Sequence, residues 1–181
     1  MRRLLAFSGC VLAAFAAVAL QIGAVPVLPF PWSAANLVLL FLILLIMITD
    51  SGAAVWWAFF MHFALELYAT TPFGVLLFSG TMTAALLYVL YRTLVTNRTA
   101  LSALALAACG LIFYRCVYII LVAVFGETLV WPGERLGWLI SAYFIELAIT
   151  AALTIVSFAF LKLILSRFSL TTVSAKHYER R

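Results

Sequence analysis

Between residues 4 and 165 the chain divides into six apolar stretches, at 4–25, 34–49, 53–69, 73–95, 101–125 and 138–165. Each lies near the ~20 residues that a helix needs to cross a bilayer. Backbone N–H and C=O groups find no water in hydrocarbon, so stretches of this length must bond within themselves as helices. Pro26, Pro29 and Pro31 forbid continuation of the first stretch, and Asp50-Ser51-Gly52 stops the second. The turn Thr70-Thr71-Pro72-Phe73-Gly74 ends the third, Thr96-Asn97-Arg98 the fourth, and a polar loop at 126–137 the fifth. The second and third stretches are short and nearly continuous, which predicts a tight helical hairpin. The sixth is long enough to tilt or protrude. The expected fold is all-α: a polytopic membrane protein with six transmembrane helices in a compact bundle, residues 1–165, followed by a basic tail at 166–181.

Charge supports this reading and excludes others. Charged residues are 9% of the chain and hydrophobic ones 67%, against about 25% charged in a soluble domain. The net charge of +5 is read as lysine and arginine retained on the cytoplasmic side rather than as a nucleic-acid surface. Arg2, Arg3, Arg92, Arg98, Lys162, Arg167, Lys176, Arg180 and Arg181 fall on one face of the six-span arrangement. Only Arg135 falls in an opposite loop, so both termini are expected in the cytoplasm. Trp32, Trp131 and Trp138 flank the opposite loops, where an outer aromatic belt would sit. Arg2-Arg3, an apolar run and Ala17-Val18-Ala19 resemble a signal peptide. The apolar run continues unbroken to Val25, however, and is read as an uncleaved first span. Cys10, Cys109 and Cys116 lie in apolar runs without ligand spacing, so neither a metal site nor a cofactor is expected.

A few polar residues inside the stretches need explanation. His62 and Glu66 are four apart and share a helical face. They are either a polar pair turned into the bundle as a proton site or ligand contact, or a carboxylate wetted near its helix end beside a satisfied histidine. Arg115 lies ten residues before Phe125 and Glu146 eight after Trp138, depths of about 15 and 12 Å along antiparallel neighbours. A buried arginine stays charged and must pair, snorkel or face water. An Arg115–Glu146 ion pair is therefore expected, with Glu66 as a second possible acceptor. A pair that fastens the bundle is weighed against a substrate site. Gly80, Ala107 and Ala148 are expected at close helix–helix contacts. No nucleophile–base, phosphate-loop or metalloprotease motif is present, and no enzymatic activity is expected.

Glu66, Pro72 and Gly74 carry a resemblance. In the MreD family of rod shape-determining membrane proteins an acidic residue ends the third span, with a proline six and a glycine eight positions later. The run Asn36-Leu37-Val38-Leu39-Leu40 also resembles that family's second-span opening, with Ala35 in place of its proline. The family has Asp where this chain has Glu66, and more glycine in the third span. The resemblance implies a non-catalytic scaffold of the bacterial inner membrane in the cell-elongation machinery that builds lateral peptidoglycan. Its implied partners are an MreC-like protein and, through it, MreB, RodA and a class B penicillin-binding protein, besides membrane lipids.

The family is also similar in fold to the substrate-binding S components of energy-coupling-factor transporters. That relation implies an S-component-like bundle and supplies the alternative function: binding a vitamin or other small molecule and docking a transporter coupling subunit. An enclosed outer cavity lined by His62, Glu66, Arg115 and Glu146 would favour transport, and association with an MreC-like protein would favour shape control.

Overall fold

The structure, a computed structural model, describes residues 2–95, 99–125 and 136–178, with side chains over 7–95, 99–125 and 141–163. The helices are α1 (Arg2–Gly23), α2 (Leu37–Thr49), α3 (Ala53–Glu66), α4 (Val75–Leu94), α5 (Ala100–Phe125) and α6 (Leu136–Tyr178). Two single 3₁₀ turns, Val25–Val27 and Trp32–Ala34, carry the proline-rich connection from α1 to α2. Four helices, α1, α4, α5 and α6, are long and apolar enough to cross a membrane. The fold is thus a helical membrane bundle with the expected six helices. The loop residues Glu127, Trp131, Glu134 and Arg135 lie outside the described residues, as do Arg98, Arg180 and Arg181.

The middle of the bundle is α2, which touches each of the other five helices. Its sequence, LVLLFLILLIMIT, has no polar face to offer, and a helix that is apolar all round belongs in an interior. Leu39, Ile43, Ile46 and Met47 pack with Leu87 and Tyr91 of α4, Ala103, Ala107 and Leu111 of α5, and Phe158 of α6. Val38 and Leu42 face Ala14 of α1, Ala58 and Met61 of α3, and Ala84 of α4. Lipid tails are as apolar as these side chains, so association rests on close packing rather than on water exclusion. Small residues at the contacts meet that need: Ala54, Ala58, Ala84, Ala103 and Ala107 are all buried.

Two helices are shorter than a crossing requires. The 13 residues of α2 and 14 of α3 rise only about 20 Å each, against ~30 Å of hydrocarbon. They are joined by a tight turn in which Asp50 takes a left-handed conformation and its N–H closes on Ile46 O at 3.0 Å. The hairpin therefore places the start of α2 and the end of α3 at the same end of the bundle, where α5 and α6 extend beyond both. At the other extreme α6 has 43 residues, about 65 Å, and its backbone stays helical into the basic segment that begins at Ser166.

Of the three residues expected at close contacts, Gly80 and Ala107 are buried and Ala148 is exposed. The inner stripe of α6 is instead Glu146, Thr150, Thr154 and Phe158, four apart and all buried. Two residues beyond Glu146 the helix has turned about 200°, which puts Ala148 on the outer face. At Gly80 the approach is closest: a Cβ built there would overlap the His62 imidazole. A Cβ at Gly110 would meet only the flexible tip of Leu87, at 2.9 Å. Gly80→Ala is expected to destabilise the purified chain by about 1–3 kcal/mol, the usual cost of overpacking, with Gly110→Ala milder. Adding His62→Ala to Gly80→Ala is expected to restore part of the loss, read as recovery of the thermal midpoint in detergent.

Candidate functional site

Where α2 begins, its unpaired N–H groups are partnered from three directions. Asn36 Oδ1 accepts from Leu39 N at 3.0 Å, the ordinary N-cap bond. Gln21, near the end of α1, accepts from Leu37 N at 2.7 Å and donates to Ala35 O at 3.2 Å. Thr150 of α6 accepts from Asn36 N at 3.2 Å. A helix that starts inside an apolar bundle finds no water for its first turn, and these side chains take that place.

The start of α4 is handled differently. Gly74 is its N-cap, at φ +100°, a backbone conformation that suits glycine. It has no side chain to cap with. The carboxylate at the end of α3 supplies the cap, and Glu66 Oε2 accepts from Leu77 N at 2.6 Å. A carboxylate on a helix N-terminus is favoured by the macrodipole as well as by the bond. Glu66 is 4% exposed and its Oε1 has no partner among the described residues, so the expectation of a wetted carboxylate gives way to a buried capping group. Pro72 accepts from Val75 N at 3.3 Å and completes the turn.

One turn back on α3, His62 is 5% exposed. Its Nδ1 lies 2.9 Å from Ala58 O, its ring lies over Gly80, and Tyr114 stands 6.0 Å away. His62 and Glu66 share a face, as their spacing requires, without bonding to each other. The hydroxyls of Ser79 and Thr83, buried beside them on α4, are satisfied by their own helix, on Leu76 O and Ser79 O.

Arg115 of α5 and Glu146 of α6 meet. Arg115 donates from Nε to Glu146 Oε2 at 2.8 Å and from Nη2 to the same oxygen. The guanidinium is flanked by Tyr143 at 4.9 Å, Tyr114 at 5.7 Å and Tyr118 at 5.9 Å, within cation–π range. Arg115 does not reach Glu66, whose bonding oxygen is taken by α4. The pair is unevenly buried, with side chains 29% and 6% exposed.

A cavity of about 470 Å³, open on one side, lies above this pair where α2 and α3 stop short. Gln21, Asn36, His62, Arg115, Tyr143 and Glu146 line it, and Glu66 does not. Gln21, Asn36, Tyr143 and Thr150 were not among the expected site residues. A signal existed for three of them: a lone glutamine near the end of an apolar run, an asparagine before a leucine run, and Glu146, Thr150 and Thr154 repeating every fourth residue.

Fold and site together define a helical membrane protein in which Arg115 and Glu146 pair and the first turns of α2 and α4 are capped by the chain's own side chains. Residues 1–164 match the family model described as rod shape-determining protein MreD. The chain belongs to that family, and membership gives it a role in rod-shape determination and an association with the rod-shape machinery. No curated protein and no solved structure matches it, so neither the S-component likeness nor the transporter alternative gains support there.

Two outcomes follow from this geometry. Arg115→Ala leaves Glu146 buried without its cation, and such a break costs about 3–5 kcal/mol. Removing both with Arg115→Ala and Glu146→Ala is expected to cost less than either substitution alone, measured as thermal stability and membrane-inserted level. Glu66→Ala removes the α4 cap and is expected to cost about 1–2 kcal/mol. Glu66→Gln keeps an acceptor for Leu77 N–H and is expected to lose less in the same assay.

Proposed function

We propose that the chain is a non-catalytic, multi-pass scaffold of the bacterial inner membrane. In this reading it holds an MreC-like protein and, through it, MreB, RodA and a class B penicillin-binding protein at sites of lateral wall growth. Family membership supports the setting. The observation that carries the scaffold reading is where the charges go. Arg115 is used on Glu146, and Glu66 on the first turn of α4. Charges used this way fasten the helices of one chain to one another and give partners a fixed surface to assemble on.

In the same reading both termini lie in the cytoplasm, which the charge distribution supports. Nine of the eleven lysines and arginines favour that side. Arg92 lies in the last turn of α4, and Lys162 lies well along α6 from Glu146, so both sit toward the end of the bundle away from the cavity.

Deleting the gene from a rod-shaped host is expected to round the cells, and the wild-type chain is expected to restore rods. A tagged chain in mild detergent should carry an MreC-like protein with it. The Arg115→Ala, Glu146→Ala double variant should restore shape in proportion to its membrane level. A normally inserted double variant that captures the partner but leaves cells round would overturn a purely fastening role for the pair.

A further inference from the structure

The polar cavity does not stand alone. Between α1 and α3 runs an apolar groove of about 550 Å³, lined by Phe15, Val18, Trp57, Phe60, Met61 and Ala64 among others. The two spaces adjoin, because Ile22 and Tyr68 line both. The groove extends from Val11 to Gly23 on α1 and from Trp57 on α3 to Tyr68 just past its end, a length of about 18 Å along α1 at the helical rise. That is slightly more than half of the ~30 Å hydrocarbon layer, the depth of one leaflet. A polar chamber beside an apolar groove about one leaflet long matches the two parts of an amphiphile.

The polar end also indicates a headgroup. Arg115 lines the cavity and keeps 29% exposure, so its pairing does not seal it from an occupant. Guanidinium is well suited to phosphate oxygens. Both of its bonds to Glu146 fall on Oε2, which leaves Oε1 outside the clasp. A cation and an anion side by side, neutral in sum, match a headgroup that is itself a dipole. A net anion would face Glu146 uncompensated. We infer that the cavity and groove together hold one zwitterionic phospholipid, with its phosphate at Arg115, its ammonium toward Glu146, and one acyl chain along α1 and α3.

The test is native mass spectrometry of the full-length chain in mild detergent, delipidated and then titrated with defined lipids. Phosphatidylethanolamine is expected to be retained about tenfold more than diacylglycerol or phosphatidylglycerol of the same chains, a difference of about 1.4 kcal/mol. Ala19→Phe narrows the groove and Ala142→Phe narrows the cavity, and neither position is buried. Each is expected to lower phosphatidylethanolamine retention about tenfold while the thermal midpoint stays near that of the parent. Equal retention of diacylglycerol would show the headgroup chamber to be idle and overturn the proposal. So would equal competition by soluble glycerophosphoethanolamine, equal retention of phosphatidylglycerol, or indifference to both substitutions in folded protein.

Discussion

A helix that ends inside an apolar bundle leaves backbone N–H groups with nothing to bond, and each such group costs free energy comparable to a lost hydrogen bond. Two helices of this chain begin under that constraint, and the polar residues of the interior are arranged to meet it. Asn36, Gln21 and Thr150 serve the first turn of α2. Glu66 serves that of α4. The partners come from α1, α3 and α6, so satisfying two helix ends also ties three other helices to them. Hydrogen bonds between membrane helices are individually modest, about 0.6 kcal/mol on average. Their value here is directional: apolar packing alone leaves α2 free to slide along its axis, and a cap sets where it stops.

The Arg115–Glu146 pair obeys the same logic, with stronger forces on both sides of the balance. Two charges taken out of water cost several kcal/mol each, and a paired geometry returns most of that without a large surplus. The tyrosines around the guanidinium add attraction of about 0.5–2 kcal/mol apiece in favourable geometry. What the pair contributes is specificity of register between α5 and α6, since sliding either helix by one turn separates the charges by about 5 Å. Apolar contacts along the two helices would tolerate such a slip far better.

Much of this architecture was readable from the chain, and the unread part has a common cause. The six segments follow from where prolines, Asp50 and Gly74 interrupt apolar runs, because helix termination is a local property. The Arg115–Glu146 meeting follows from equal depth on antiparallel neighbours, because each depth is counted along one helix. The bond from Asn36 N to Thr150 spans 114 positions and depends on which face of α6 turns inward. Alanine content suggested the face with Ala148, while the face with Glu146, Thr150 and Thr154 is the one that buries its hydroxyls. The shortness of α2 and α3 was visible as well. The cavity at one end required knowing that α5 and α6 run past both of them there.

That side is set by the turn between the two short helices. Because α2 and α3 form a hairpin, the start of one and the end of the other lie together at the end away from Asp50. Of the longer helices, α5 and α6 continue past them at this end and form walls, while α1 and α4 end near the same level. The cavity is therefore a geometric product of unequal helix lengths rather than of any single side chain. The same inequality brings the spacing Glu66–Pro72–Gly74 into focus. A short α3 ends level with the start of α4, proline and glycine turn the chain within a few residues, and the last carboxylate of one helix lies against the first N–H groups of the next. A longer α3 would carry Glu66 past that point and fill the cavity in the same step, so capping and cavity depend on one helix length.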